Sequence, residues 1–361
     1  MKTLLLTGVG GFIGSHFLDW FYRNTDYRII GLDSFYHKGT TSRLDDLHVW
    51  KMDDVRLNGS GRIVILKHDL TVPFDNALVN RILISTGKKW EDTENGLLPT
   101  VYNGVDYIVN LASNSAVERS ISNPGECWMN NCESILHMLN LAAVLKPKVF
   151  LQLSTDEVFG DYNGKGDGHH EWDTLLPSNP YAASKAAQEM LCQAYWRTYD
   201  MPIVICNTMN NIGERQDHEK FLPRLIEKIS KGEKIEIYTD NDGNIGSRVY
   251  LDAQDHAEAV GAILGLEHAR YSYGYDRPSK YNIAGCHELD NLEFAKLVAE
   301  VMNKTLQWQL VPAKSARPGY DKRYLLDSKK LNGVWSARRS LVETIQRVVD
   351  HANQNPWWIG A

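Results

Sequence analysis

The chain has 361 residues, of which 43% are hydrophobic and 23% charged, with a formal net charge of −6, as is typical of a globular protein that buries its own core. Its lysines and arginines form no cluster, and no stretch approaches the roughly 20 apolar residues of a membrane helix, so neither nucleic acid nor membrane is an expected partner. The five cysteines include no CxxC pair and the N-terminal apolar run is too short for a signal peptide, so we expect a cytoplasmic protein.

The first element in chain order is a short apolar strand at residues 2–7, followed by a glycine-rich turn at 8–14 and a helix at 15–23. A second strand at 27–32 completes a strand–turn–helix–strand unit, which requires parallel strands. Strands and helices continue to alternate, and this order predicts an α/β fold of the Rossmann type with a doubly wound parallel sheet. Later strands are predicted at residues 63–66, 107–111, 149–154 and 203–208, and helices at 126–145 and 182–198.

The pattern changes near residue 215, where an amphipathic helix and then a polar stretch interrupt the alternation. We therefore expect a smaller C-terminal α/β substrate-binding domain, and residues 84–104 resemble a polar surface insertion. The predicted domains are a dinucleotide-binding domain at 1–215, with a return segment near 245–285, and a mainly substrate-binding domain at 216–361.

Three glycines, Gly8, Gly11 and Gly14, lie in the turn between the first strand and the first helix. Glycine lets the backbone approach a ligand closely, and a helix starting here points free N–H groups at a diphosphate. Asp33 ends the second strand, where a carboxylate accepts hydrogen bonds from ribose hydroxyls and repels a 2′-phosphate. The alternatives are ordinary turns, but the strand–turn–helix context favours a dinucleotide site that prefers NAD over NADP.

Two further motifs predict acid–base chemistry. Tyr181 and Lys185 are four residues apart in a predicted helix and so share one face, where the lysine ammonium lowers the pKa of the phenol. The tyrosine can then act as a base toward a sugar hydroxyl. Thr155, Asp156 and Glu157 follow an apolar strand, at the edge of the sheet where α/β proteins bind ligands. Two adjacent carboxyls can serve as acid and base when their surroundings separate their pKa values. A plain helix cap or turn is the alternative at this position.

Together, TGVGGFIGS, LSTDEVFG and YAASK resemble the extended short-chain dehydrogenases, and the Asp-Glu pair resembles that of dTDP-glucose 4,6-dehydratases. Three more segments are similar to that family: NLASNSAVERSISNP (110–124), NTMNNIG (207–213) and RPGYDKRYLLD (317–327). The resemblance runs almost end to end, apart from the insertion at 84–104.

The resemblance implies that NAD contacts the glycine turn and a set of residues that extends to Asn211, and that a nucleotide sugar contacts a second set. The NAD set is Gly8, Gly11, Phe12, Ile13, Gly14, Asp33, Asp69, Leu70, Ala112, Tyr181, Lys185 and Asn211. The nucleotide-sugar set is Ser115, Thr155, Asn210, Lys220, Tyr238, Arg248, Asn282, Arg317 and Tyr320. The guanidinium of Arg248 also suits diphosphate oxygens on chemical grounds.

The resemblance further implies a homodimer and a three-step 4,6-dehydration of a nucleotide-activated hexose. In that reaction Tyr181 deprotonates the 4-hydroxyl during oxidation of C4. Glu157 then removes the C5 proton while Asp156 protonates the departing C6 hydroxyl, and reduction at C6 completes the cycle. The bound NAD is regenerated in each turnover.

Departures from the family pattern fall on the substrate side of the resemblance. They are Ala116 for a common His, Asn114 for an acid, Tyr320 for a His, Ala316 for an Asp and Glu236 for a Pro. The base and the hexose therefore stay open, whereas the residues assigned to catalysis are intact.

Two alternatives to a dehydratase remain. A nucleotide-sugar 4-epimerase or decarboxylase would share the NAD site and Tyr181 but would not need the acid at Asp156. A non-catalytic NAD-binding protein is the distant alternative, although such proteins tend to lose the tyrosine or lysine that this chain retains. The adjacent His169 and His170 lack the i, i+4 spacing of a helical metal site, so no metal is expected.

Overall fold

The structure is a computed structural model, and it describes residues 1–47, 61–87, 104–240, 242–312 and 321–359. Most of the predicted insertion at 84–104 therefore lies outside the described residues. The chain divides into two compact units by packing. The first is Met1–Ser154, Ser184–Cys206 and Gly261–Lys280, and the second is Thr155–Ala183, Asn207–Val260 and Tyr281–Ala361.

This division differs from the predicted domains, which had a boundary at 215 and a return segment near 245–285. Packing places Thr155–Ala183 in the second unit and returns only Gly261–Lys280 to the first. The functional assignment of the two domains stays a prediction.

The central sheet has seven strands in the order β10-β6-β5-β4-β1-β2-β3, and β1 to β5 pair in parallel. Each of these strands is an apolar run that is buried on both faces, as expected for a parallel sheet covered by helices. The order reverses between β1 and β4, which is the switch point of a Rossmann-type sheet. The strands are β1 Thr3–Thr7, β2 Arg28–Asp33, β3 Ile63–Lys67, β4 Tyr107–Asn110, β5 Val149–Thr155, β6 Ile203–Thr208 and β10 Ser279–Ile283. The predicted fold class is confirmed.

Several helices associated with this sheet begin at side-chain caps. The longest, α5, starts at Pro124 after an Asn123 side chain that accepts the Glu126 N–H, and it ends at Lys146 in the left-handed conformation. Leucines, isoleucines and valines of the sheet pack with Trp196 and Met138 to form the core of the first unit. The helices are α1 Phe12–Asn24, α2 Thr41–Asp46, α3 Asn76–Ser85, α4 Val117–Ser122, α5 Pro124–Leu145, α6 Pro180–Tyr199 and α8 Ala253–Ile263.

The second unit contains two smaller sheets and its own core. One sheet has the order β11-β9-β7, and the other pairs β12 with β8 in parallel. Phe294 and Tyr250 stack at 3.8 Å between ring centroids within this core. The strands are β7 Asn210–Ile212, β8 Ile235–Thr239, β9 Ser247–Asp252, β11 Glu288–Asp290 and β12 Trp308–Pro312, and the helices are α7 Phe221–Lys231, α9 Asn291–Val301 and α10 Leu341–Gln354. Among all described residues, no helix is long and apolar enough to cross a membrane.

Candidate active site

The glycine-rich turn between β1 and α1 leaves its backbone bare. Gly8 has a φ of +71°, and a Cβ added there would lie 3.2 Å from the Cα of Ala112. A Cβ on Gly14 would lie 1.9 Å from the carbonyl oxygen of Gly8, so no larger residue fits there. Gly11 precedes α1 and provides no side-chain cap for the first turn of that helix. A turn without side chains lets a diphosphate approach the backbone closely, and a helix start without a side-chain cap can donate its N–H groups to the phosphate oxygens.

Asp33 ends β2 and binds the glycine turn directly. Its Oδ2 accepts the N–H of Gly10 at 2.8 Å, and its Oδ1 accepts the N–H of Phe35 at 2.8 Å. Burial raises the pKa of Asp33, while these two N–H groups oppose the rise. Each carboxylate oxygen accepts more than one hydrogen bond, so the predicted bond to a ribose hydroxyl remains compatible with this geometry. The fully buried Arg43, which the sequence analysis missed, donates to the Gly10 carbonyl at 3.1 Å.

Other predicted NAD contacts lie at the ends of neighbouring strands. Asp69 follows β3, and its Oδ1 accepts from both the backbone and the hydroxyl of Thr71. Ala112 follows β4, and its N–H donates to the Thr7 hydroxyl at 3.1 Å. The contacts of these residues with NAD stay predictions, as do those of Leu70, Phe12 and Ile13.

The acid pair lies where β5 ends and a short 3-10 helix, Asp156–Phe159, begins. The hydroxyl of Thr155 donates to Asp156 Oδ1 at 2.8 Å, and the N–H of Glu157 donates to the same oxygen at 3.0 Å. Asp156 is 3% exposed, and within the described part of the chain its Oδ2 has no hydrogen-bond partner. Burial, and next the charge of Glu157, raises the pKa of Asp156 to about 7. Asp156 can therefore hold a proton near neutral pH.

The second carboxyl of the pair has a different environment. Glu157 is half-buried, and its Oε2 accepts a hydrogen bond from the amide of Asn179 at 3.1 Å. The two adjacent carboxyls thus differ in the way that a general acid and a general base require.

Helix α6 carries both members of the Tyr-Lys motif. Tyr181 lies in its first turn and is 8% exposed, and Lys185 follows one turn later at 4% exposed. The ammonium of Lys185 donates to the Leu153 carbonyl at 2.7 Å and to Gln188 Oε1 at 2.6 Å. Burial lowers the pKa of Lys185 to about 8.

Gln188 is a second residue that the sequence analysis missed. Its amide donates to the Asn131 carbonyl at 2.7 Å, and its Oε1 also accepts from Gln152 at 3.0 Å. Gln188 is three residues after Lys185 on α6, so an i, i+3 search from the motif lysine would have found it.

The predicted nucleotide-sugar residues of the second unit are held by backbone carbonyls. The guanidinium of Arg248 donates to the carbonyls of Ser247, Lys322 and Asp321 at 2.6 to 2.9 Å and stacks 4.4 Å above the ring of Tyr324. This ring contact and these bonds fix the plane of the guanidinium. Its predicted contact with a diphosphate stays a prediction.

Asn282 lies in β10, and its amide donates to the carbonyls of His169 and Asp327. The Oδ1 of Asn282 is buried and has no partner among the described residues, so it can accept a hydrogen bond from a ligand. Asn211 donates to Thr208 and Met209, and its Oδ1 pairs with His256 Nδ1 at 2.9 Å.

The remaining residues predicted to contact the nucleotide sugar lie in or next to four different elements. Asn210 opens β7, Lys220 immediately precedes α7, Tyr238 is half-buried in β8 and Ser115 is exposed before α4. Arg317 and Tyr320 lie outside the described residues. No group of histidine, cysteine and acidic side chains suited to a metal occurs in the described ranges. His169 instead stacks on Phe159 with its ring 5.1 Å away.

The protein is thus a Rossmann-type α/β protein with a glycine-rich turn after its first strand, a helix that carries Tyr181 and Lys185, and two adjacent carboxyls in different environments. The chain belongs to the NAD dependent epimerase/dehydratase family, whose model matches residues 4–284. This match confirms the predicted NAD cofactor and makes the chain an enzyme of the nucleotide-sugar dehydratase/epimerase superfamily.

Three known proteins illustrate the similarity. A trifunctional UDP-glucose 4,6-dehydratase/UDP-4-keto-6-deoxy-D-glucose 3,5-epimerase/UDP-4-keto-L-rhamnose-reductase of Arabidopsis thaliana is 31% identical, over 99% of this chain and 48% of the plant protein. A dTDP-glucose 4,6-dehydratase of Xanthomonas campestris pv. campestris is 28% identical, over 99% of this chain and 95% of the relative. The crystal structure of a dTDP-glucose 4,6-dehydratase from Streptomyces venezuelae with NAD bound has a TM-score of 0.79 and 26% identity, covering 99% of this chain and 98% of that one. The chain thus spans about half the length of the plant relative.

Proposed function

We propose that the protein is an NAD-dependent 4,6-dehydratase of a nucleotide-activated hexose, with dTDP-glucose as the first substrate to test. The observation that carries the proposal is the contrast between the buried Asp156, with a pKa of about 7, and Glu157, which accepts a hydrogen bond from Asn179. Elimination of water requires one carboxyl that donates a proton and another that accepts one.

The glycine turn and Asp33 would hold the dinucleotide, and Lys185 would position its nicotinamide end. Bound NAD supplies a hydride acceptor for C4 of the sugar and a hydride donor for C6. Tyr181 takes the proton of the 4-hydroxyl as the C4–H bond breaks, and Lys185 favours the phenolate by its positive charge. Arg248, Asn282 and the other predicted sugar-side residues would hold the nucleotide and the hexose.

The 4-ketone acidifies the C5–H bond, and Glu157 removes that proton. Asp156 gives its proton to the C6 hydroxyl, which leaves as water while a C5–C6 double bond forms. Reduction at C6 and return of a proton to C5 then give the 4-keto-6-deoxy sugar. The electron pair removed from C4 is returned at C6, so the reaction loses one water without net oxidation.

A 4-epimerase or decarboxylase of the same superfamily is the second candidate, because it would share Tyr181, Lys185 and the NAD site. Neither reaction uses an acid at Asp156. The buried carboxyl of Asp156, which can hold a proton near neutral pH, therefore favours the dehydratase. A homodimer is inferred from the family resemblance, and size-exclusion chromatography with light scattering measures the subunit number. A cytoplasmic location is proposed from the cysteine content.

The test is to incubate the purified protein with dTDP-glucose and UDP-glucose separately and to determine the product mass. Loss of one water without consumption of added NAD supports the dehydratase. GDP- and CDP-hexoses follow if both masses are unchanged. An altered C4 configuration of a hexose, or loss of carbon dioxide from UDP-glucuronic acid tested alongside, with no loss of water from any hexose, would replace this proposal by the second candidate.

A further inference from the structure

The side chain of Asn179 makes two hydrogen bonds, one to the start of the helix that carries Tyr181 and one to the carboxylate of Glu157. Its Oδ1 accepts the N–H of Ala182 at 2.9 Å, in the first turn of α6. Its Nδ2 donates to Glu157 Oε2 at 3.1 Å. Asn179 is 7% exposed, so both bonds are largely shielded from water. One side chain thus joins the start of the Tyr181 helix to the carboxylate of Glu157.

Only one orientation of the Asn179 amide satisfies both neighbours. The Ala182 N–H needs an acceptor, and a carboxylate needs a donor, so the oxygen must face the helix and the nitrogen must face Glu157. The backbone carbonyl of Asn179 also accepts the N–H of Ala183 at 3.0 Å, which fixes the residue at the helix start. The position of the donor is therefore determined by the helix cap.

We propose that Asn179 is a positioning residue that holds the Glu157 carboxylate for removal of the C5 proton. It also keeps that carboxylate in a fixed position relative to the start of the helix that carries Tyr181. This inference rests on the proposed dehydratase function. The chemistry requires an amide, because aspartate caps the helix but cannot donate in its ionised form. Serine also caps the helix, but its hydroxyl lies about one bond length closer to its own backbone.

Two variants separate the role of Asn179 as a helix cap from its role as a hydrogen-bond donor to Glu157. Asn179→Asp keeps the shape and the cap and replaces the donor with an acceptor of like charge. Asn179→Ser keeps a capping side chain and loses the reach to Glu157. The matched control is Asn123→Asp, because Asn123 also caps a helix and donates to a glutamate, Glu126, at 2.8 Å, but on the exposed surface.

Two steps are measured in single turnovers with full-length protein containing NAD. Oxidation at C4 is followed by the absorbance of reduced nicotinamide, and removal of the C5 proton by deuterium uptake from heavy water. Loss of a hydrogen bond to a charged group corresponds to roughly a tenfold to hundredfold change in rate. We expect a decrease of that size in C5 exchange in both Asn179 variants, with C4 oxidation changed by less than about threefold. Reduced nicotinamide should then accumulate, whereas Asn123→Asp should match the wild type.

Melting temperatures of all variants establish that they are folded. Equal slowing of both steps would mean that Asn179 acts only through the helix start, and unchanged C5 exchange would mean that it does not position Glu157; either result overturns the inference. These outcomes differ from a failure of the proposed function, which would be seen in the wild type as no loss of water from any nucleotide hexose. A wild type that removes no water would therefore also overturn the role assigned to Asn179.

Discussion

Replacing Asp156 with asparagine should make the protein more stable and nearly inactive. Asp156 has an ordinary pKa of 3.8, which burial raises to about 7 in the folded protein. Between these two pH values the folded state binds more protons than the unfolded state, so the free energy of unfolding decreases as pH rises. At about 1.4 kcal/mol per pH unit, the full effect above pH 7 is on the order of 4 kcal/mol.

Asparagine removes this pH dependence but leaves an amide where Oδ2 has no partner in the described structure. An unsatisfied buried polar group costs about 1–3 kcal/mol. The expected net stabilisation is therefore on the order of 1–3 kcal/mol at pH 8. Near pH 4.5 the carboxyl of the folded wild type is already neutral and ionisation costs it only about 1 kcal/mol, so the variant should be equal in stability to the wild type or less stable by up to about 2 kcal/mol.

Urea denaturation at several pH values between 4.5 and 8.5 measures the difference between variant and wild type. The control is Asp167→Asn, because Lys329 lowers the pKa of the exposed Asp167 below its ordinary value of 3.8, so the difference between this variant and the wild type should stay constant between pH 4.5 and 8.5. A difference for Asp156→Asn that is constant with pH would refute the reasoning. Water elimination should fall by about 10²–10⁴-fold, with C4 oxidation retained, because a general acid is lost. Unchanged overall turnover would instead indicate an epimerase or decarboxylase.

Two further predictions concern the first unit. Gly14→Ala should weaken NAD binding by roughly tenfold or more, because its Cβ would displace the Gly8 carbonyl. Calorimetry measures this binding. The control is Gly125→Ala, where a Cβ meets nothing within 4 Å, and this variant should bind NAD normally. Glu189→Gln should destabilise the fold by about 3–5 kcal/mol in urea denaturation, because it leaves the buried Lys280 ammonium, 2.6 Å away, without its ionic partner. Adding Lys280→Met to that variant should recover much of the loss, and failure to recover would show that the pair is not the cause.

The Rossmann-type sheet could be predicted because its strands are mainly apolar runs of four to seven residues, such as β4 and β5, separated by helix-length segments. The division into packed units could not. Thr155–Ala183 follows β5 directly in sequence, yet it packs with residues beyond 207. Those partners are distant in the sequence, and no local pattern encodes them.

The motif residues of the site were predictable because their spacing reflects local geometry. Tyr181 and Lys185 share a helix face, and Asp156 and Glu157 follow the end of a buried strand. Gln188 and Asn179 were not predicted, since a glutamine in a helix and an asparagine before a proline have ordinary explanations. Helix spacing would have placed Gln188 near Lys185, whereas the contact between Asn179 and Glu157, 22 residues apart, is defined only by the folded structure.

The difference between the two carboxyls is the clearest case of such dependence. Asp156 and Glu157 are adjacent acids, and the sequence alone does not decide which one holds a proton. In the structure, the buried side chain of Asp156 accepts a hydrogen bond from Thr155, and its second oxygen has no partner in the described part of the chain, whereas Glu157 accepts a hydrogen bond from the Asn179 amide. Burial therefore raises the pKa of Asp156, whereas Glu157 is distinguished by its hydrogen bond with Asn179. A change that opened Asp156 to water would remove this distinction even though both carboxyls would still be present.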